Sequence, residues 1–131
     1  MASTHPHFRI LVVDDNADAA DSLAMLLQLA EHETVTAYSG PEAIEVARRV
    51  KPHAAFLDIG LPGMNGYELA RQLRSDPGLA TISLVALTGW GSESDQQRAT
   101  DAGFDYHITK PAALDKVYEV LNQLAAAAAP A

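Results

Sequence analysis

The sequence predicts an α/β fold: five βα units on one parallel sheet, in a single domain. Short apolar runs alternate five times with longer stretches of helical periodicity. The runs at 9–13, 54–57 and 82–87 lack polar alternation, as strands covered on both faces do. Polar residues punctuate the ends of these runs: Asp14 and Asp15 follow Val13, Asp58 follows Leu57, and Lys110 follows Thr109. In a parallel sheet the carboxyl ends of the strands converge on one crevice. Three carboxylates and one lysine are therefore expected in one pocket.

The first strand is expected over 9–13, and Ala20, Leu23, Leu27 and Ala30 then recur at helical spacing. The second strand, 34–38, does alternate, which marks it as a sheet edge. Ala43, Ile44, Ala47 and Val50 form the next apolar stripe, and Gly40-Pro41 places proline in its first turn. After the third strand, 54–57, the glycines and Pro62 read as turn formers and Asn65 as a helix cap. Leu69, Ala70 and Leu73 carry the third helix, and 82–87 the fourth strand. Ser92 and Asp95 make a capping box for a helix over 92–102, which has little beyond Ala99 and Ala102 to bury. So weakly held an element is able to shift between positions. The fifth strand is expected over 105–108, and Val117, Val120, Leu121 and Leu124 give the last helix its stripe. Right-handed crossovers then put helices on both sheet faces.

At 131 residues the chain is long enough to bury a core without staples, and 48% hydrophobic content excludes a disordered tail. Residues 1–7 read as a flexible tail and 8–124 as the domain. The alanine-rich 125–131 reads as a helix extension or the start of a linker. The absence of cysteine removes disulfides, thiolate catalysis, Fe–S clusters and thiol-based zinc sites. No stretch approaches a membrane span and the start has no apolar h-region, so a cytoplasmic protein without membrane contact is expected. A net charge of -8 argues against a nucleic-acid partner, which needs a basic face.

Two carboxylates about 4 Å apart repel by roughly 4 kcal/mol at an effective dielectric near 20. Such a site binds a cation or protonates one member. Asp14, Asp15 and Asp58 offer hard oxygen ligands without histidine or cysteine, a set that selects Mg²⁺. Asp14 and Asp15 have a second reading as N-capping acids for the helix after them, where the positive helix end favours carboxylates. The company of Asp58 and Lys110 favours the cation. Asp58 stands alone on its strand, and a carboxylate can accept a phosphoryl group as an acyl phosphate. Thr88 ends the fourth strand with its hydroxyl in reach of the same crevice, although a strand-end threonine is usually local structure. Lys110 precedes Pro111, where a tight turn is expected, and its ammonium can pair with a carboxylate or a phosphate.

Asp14-Asp15, Asp58, Thr88 and Lys110-Pro111, in this order on this frame, resemble the receiver domain of two-component response regulators. The likeness spans about 8–124, and the phrases around Asp58 and Thr88 are similar to receivers of hybrid histidine kinases. It implies a flavodoxin-like sheet of order 2-1-3-4-5. It implies that Asp58 accepts a phosphoryl group from a histidine kinase or phosphotransfer histidine. Asp15, Asp58 and the Gly60 carbonyl would ligate Mg²⁺, with Asp14 acting through water, while Thr88 and Lys110 bind phosphoryl oxygens. The domain would be a monomer or weak dimer, a signalling phosphoacceptor with self-phosphorylation and self-dephosphorylation activity and no turnover enzyme. Slow self-dephosphorylation is expected, because Gly60 offers no side chain and Trp90 no acceptor to orient water. A cis Lys110-Pro111 bond is expected, since the resemblance implies a turn that places the ammonium in the crevice, and Trp90, two residues past Thr88, is expected at the pocket rim. The weakly held 92–102 helix, the Thr88 hydroxyl and His107 point to an output face over 92–102, 106–108 and 114–124.

One position departs from the family's commonest pattern. The switch site three residues before the lysine holds His107 in place of an aromatic, and Tyr106, one residue earlier, should face the other side of the strand. His107 reads first as a half-exposed strand residue and second as a switch partner of Thr88. His5, His7, His32 and His53 have no expected metal role. Other classes fit less well. An aspartyl-phosphate phosphatase needs a general acid at the position of Gly60, and a pseudo-receiver usually lacks acids or the lysine that are all present here. A flavin protein on the same fold would need a phosphate loop after the first strand, and none is visible.

Overall fold

The first strand owes its place in the interior of the sheet to an unbroken apolar run, since Ile10, Leu11, Val12 and Val13 are all fully buried. The structure is a computed structural model and describes residues 8–89, 93–110 and 114–128. Its elements alternate as β1 Arg9–Val13, α1 Ala17–Leu29, β2 Glu33–Ala37, α2 Gly40–Val50, β3 Ala54–Asp58, α3 Gly66–Ser75, β4 Ser83–Thr88, α4 Glu93–Ala102, β5 Tyr106–Thr109 and α5 Leu114–Ala128. All pairings are parallel, in the order β2-β1-β3-β4-β5. The alternating 34–38 segment does lie at an edge, as β2.

Strand bounds differ from the sequence expectation by single residues, for local reasons. β2 begins at Glu33 because the ladder starts with Arg9 opposite Glu33. Tyr38 leaves it, its N–H donating to Glu42 Oε1 at 2.6 Å. Asp58 belongs to β3 because it pairs with Leu87. Ile82 turns back, its N–H bonded to Leu79 C=O, so β4 starts at Ser83 and runs to Thr88. Asn65 caps α3 as expected, accepting the Glu68 N–H at 3.0 Å. Ser39 caps α2, with Pro41 in its first turn. The capping box at Ser92 lies outside the described residues.

The period-2 alternation of strand side chains divides the core in two. Leu11, Val13, Ala55, Leu57, Leu84 and Ala86 pack with α2, α3 and α4. Ile10, Val12, Phe56, Val85, Leu87 and Ile108 pack with α1 and α5. α4 is thinly held, as its composition suggested. It buries Ala99 and Ala102, and Arg98 lies over the Tyr67 ring of α3 at 4.4 Å.

The end of the sheet remote from the aspartates is fastened by residues that sequence patterns left without a role. The Phe8 N–H donates to His32 Nδ1 at 3.1 Å and the Arg9 N–H to His53 Nδ1 at 2.9 Å, with the Phe8 ring stacked on His32. Arg74, near the end of α3, donates to the carbonyls of Gly103, Ala80 and Ile82 and to Asp105 Oδ2 at 2.8 Å. Gly103 has a φ of +107°, and a Cβ there would meet Arg74 Cγ at 2.9 Å. One guanidinium thus joins α3, the approach to β4, the end of α4 and the start of β5.

Arg74→Ala leaves three carbonyls without their charged donor, and hydrogen bonds to charged groups are worth about 1.5–3 kcal/mol each when not additive. The expected loss in urea unfolding is about 2–4 kcal/mol, with only part recovered by Arg74→Lys, which lacks the planar fork. A loss within about 0.5 kcal/mol, the range of ordinary surface substitutions, contradicts the clamp.

Candidate functional site

β1 ends at Val13 and delivers Asp14 and Asp15 to the carboxyl edge of the sheet, Asp14 buried and Asp15 exposed. Neither acid caps α1. Asn16 does so, its side chain accepting the Ala19 N–H at 3.2 Å, which closes the capping alternative. Asp14 Oδ1 instead accepts the Asn16 N–H at 3.0 Å. Asp58 is the last residue of β3, its side chain 10% exposed, and its Oδ1 accepts the Gly60 N–H at 3.0 Å. The loop that follows is tied back, with Ile59 N–H on Leu87 C=O and Gly66 N–H on Ile59 C=O.

Thr88 ends β4 and is buried. The Lys110 N–H donates to its carbonyl at 2.6 Å, which holds the lysine at the same edge. The ammonium turns into the pocket, 2.9 Å from Asp14 Oδ2 and 3.2 Å from Asp58 Oδ1. Carboxylate oxygens of Asp14, Asp15 and Asp58 all lie within 4.8 Å of one another. The convergence expected from the strand ends is present, with Asp14, Asp15, Asp58, Thr88 and Lys110 on one edge.

The electrostatics follow from burial and crowding. Burial pushes the Asp58 carboxyl above the ordinary aspartate range and the charge of Asp14 adds to it, against the Gly60 N–H and Lys110. For Lys110 burial works the other way, but hydrogen bonds to Asp14 and Asp58 and their charges outweigh it and hold the ammonium above its ordinary value. Among the described residues, one ammonium against three carboxylates leaves a negative pocket. Its donor set is oxygen alone, from neighbouring carboxylates, and it fits a hard divalent cation.

His107 lies opposite Ala86 of β4, on the face covered by α2, α3 and α4, while Tyr106 packs on the α1 and α5 side. The expected split between these two residues holds. The imidazole is half-buried, and its Nε2 is buried without a hydrogen-bond partner among the described residues. Trp90 and the Lys110-Pro111 bond lie outside the described residues.

A strand-order 2-1-3-4-5 sheet with two buried aspartates and a lysine at its carboxyl edge defines a class of protein, and comparison with known proteins agrees. The model of the response regulator receiver domain matches residues 10–122, and the chain belongs to this family, the receivers of two-component phosphorelay signalling. Among individual relatives, PilH of Pseudomonas aeruginosa is 30% identical over 118 residues, covering 90% of this chain and 98% of PilH. The DNA-binding response regulator MtrA of Mycobacterium tuberculosis is 37% identical over 103 residues, but the chain spans only 44% of its length. The receiver domain of a signal transduction histidine kinase from Syntrophus aciditrophicus superposes with a TM-score of 0.84 at 28% identity, over 95% of this chain and 94% of that one. Among the described residues no helix is long and apolar enough to cross a membrane.

Because the fold holds the Asp58 proton more tightly than the unfolded chain, this group's stabilisation is full below the ordinary aspartate pKa. It is lost as pH rises through the raised value. At neutral pH ionised Asp58 therefore costs stability. Asp58→Asn in metal-free buffer is expected to raise the urea midpoint at pH 7, with the gain shrinking as pH falls toward 4. A lower midpoint at pH 7 contradicts this sign.

Proposed function

We propose that this receiver takes a phosphoryl group onto Asp58 from a phosphohistidine of a histidine kinase or phosphotransfer protein, with Mg²⁺ held by the acidic cluster. The observation that carries the proposal is the placing of one lysine ammonium against two buried carboxylates at the carboxyl edge of the sheet. Asp58 Oδ1 is engaged by Gly60 and Lys110, which leaves Oδ2 to attack phosphorus. As the Oδ2–P bond forms, the P–N bond to the donor imidazole breaks and its electron pair returns to nitrogen. Lys110 and the Thr88 hydroxyl stabilise the charge that gathers on the phosphoryl oxygens. Asp15, Asp58 and the Gly60 carbonyl would hold the cation, with Asp14 acting through water. When bound, Mg²⁺ neutralises charge on the transferring group and relieves the repulsion among the acids.

A cleft of about 540 Å³ opens beside Asp14 and Lys110 against Leu23, Leu26 and Leu87, room for part of a donor protein to reach the pocket. Gly60 places no side chain over Asp58, and this supports a long-lived acyl phosphate, since that position has no group to hold an attacking water. Thr88 and His107 share the sheet face that α4 covers, which supports a switch in which Thr88 moves inward and the imidazole follows. The output face would be α4, β5 and α5. Amide shifts over 93–110 on adding beryllofluoride test that switch, and shifts confined to Asp58 and its contacts reject it.

Incubation with Mg²⁺ and acetyl phosphate is expected to add one base-labile phosphoryl group to the wild-type chain and none to Asp58→Asn. Asp15→Ala is expected to lower Mg²⁺ affinity and the labelling rate together. Labelling of Asp58→Asn at the wild-type rate overturns the assignment.

A further inference from the structure

The first residue of α3 touches the acceptor strand more closely than any side chain allows. A Cβ built on Gly66 would lie 2.6 Å from the Asp58 carbonyl oxygen, 2.7 Å from Ile59 Cα and 3.1 Å from the Asp58 carbonyl carbon. These obstacles are backbone atoms, so no rotamer change relieves them. Gly66 does not have a left-handed φ, unlike Gly63 and Gly103, so its glycine is demanded by proximity and not by backbone conformation. The same residue donates its N–H to Ile59 C=O at 3.0 Å. Asn65 closes the turn from the other side by capping the Glu68 N–H. The next residue, Tyr67, is buried among core side chains and carries the Phe104 ring edge-on at 6.5 Å, so the first turn of α3 is anchored to the core.

We infer that Gly66 is a positioning residue for phosphoryl transfer, the seat through which the start of α3 fixes the main chain of Asp58, Ile59 and Gly60. That main chain supplies the acceptor carboxylate and the N–H that orients its Oδ1. A methyl group at 66 has to push the acceptor segment, the helix, or both by several tenths of an ångström. Displacements approaching 1 Å cost in-line reactions up to about a hundredfold in rate, while ordinary folding tolerates them. The inference rests on Asp58 being the acceptor, as proposed above.

The test compares Gly66→Ala with Leu73→Ala, which opens a cavity at the far end of the same helix and serves as a destabilised control. Labelling by acetyl phosphate at saturating Mg²⁺ is followed well below each melting transition, as a function of phosphodonor concentration. Gly66→Ala is expected to lower the plateau rate about tenfold or more with the half-saturating concentration little changed, and Leu73→Ala to keep the plateau rate within twofold. In metal-free protein, amide shifts of 58–60 are expected to move in Gly66→Ala and to stay in Leu73→Ala. Should Gly66→Ala not fold, Asn65→Ala loosens the same turn without a clash and is expected to slow labelling about threefold. A folded Gly66→Ala at the wild-type plateau rate overturns the positioning role, as does Asn65→Ala at that rate if Gly66→Ala does not fold. Wild-type chain that takes no label, or Asp58→Asn that takes as much, instead overturns the acceptor assignment and this inference with it.

Discussion

Three carboxylates gathered within 4.8 Å of one another, against a single ammonium, are the constraint around which the rest of the molecule is arranged. Left to themselves these side chains separate or take up protons, so the fold has to hold them by force. It does so with the stiffest means available. Asp14 and Asp58 extend adjacent central strands whose apolar residues are wholly buried, and Lys110 is pinned by its own N–H to the carbonyl of Thr88. The pocket is thus a place where folding free energy is spent, and burial of Asp58 against its preference to ionise is the visible sign of it. Addition of positive charge, or covalent capture of the Asp58 carboxylate, acts directly on that stored repulsion.

α3 is the element that carries this constraint away from the pocket. Its first residue rests on the Asp58 main chain, its second packs on Phe104 and lies beneath Arg98 of α4, and its ninth is Arg74, which grips Gly103 and Asp105. α4, by contrast, buries two alanines and leans on those α3 side chains. Under the proposals above, a firmly anchored α3 beside a thinly held α4 would divide the labour, one keeping the acceptor in register and the other responding. His107 stands at that boundary with a buried Nε2 that has no hydrogen-bond partner among the described residues, and leaving such an atom unpaired costs about 1–3 kcal/mol.

The elements that sequence made plain are those dictated by short-range patterning. Apolar runs without alternation became central strands, the Thr-Val-Thr-Ala run became the edge, and the acids and lysine fell at one end because strand ends in a parallel sheet share an edge. The order of the strands came from the family resemblance, since periodicity carries no information on which strand neighbours which. What stayed hidden are long-range contacts between side chains with bland local readings. Arg74 looks like a solvated helical cation until the chain brings Gly103 and Asp105, far along the sequence, beneath it. His32 and His53 look like loop residues, yet each accepts a main-chain N–H at the start of β1. Asn16 and the two aspartates before it compete for the same cap, and only backbone geometry decides for Asn16.

On the function proposed above, the crowded acids form a phosphoryl acceptor centred on Asp58, with Lys110 as its cationic partner. A crystal structure grown with Mg²⁺ and beryllofluoride, a phosphoryl mimic, tests it most directly. A tetrahedral adduct bonded to an Asp58 carboxylate oxygen is expected, with Lys110 Nζ and the Thr88 hydroxyl within hydrogen-bond distance of its fluorines. An adduct on Asp14 or Asp15, or Lys110 still bridging Asp14 and Asp58 beside an unmodified Asp58 at saturating beryllofluoride, would contradict it.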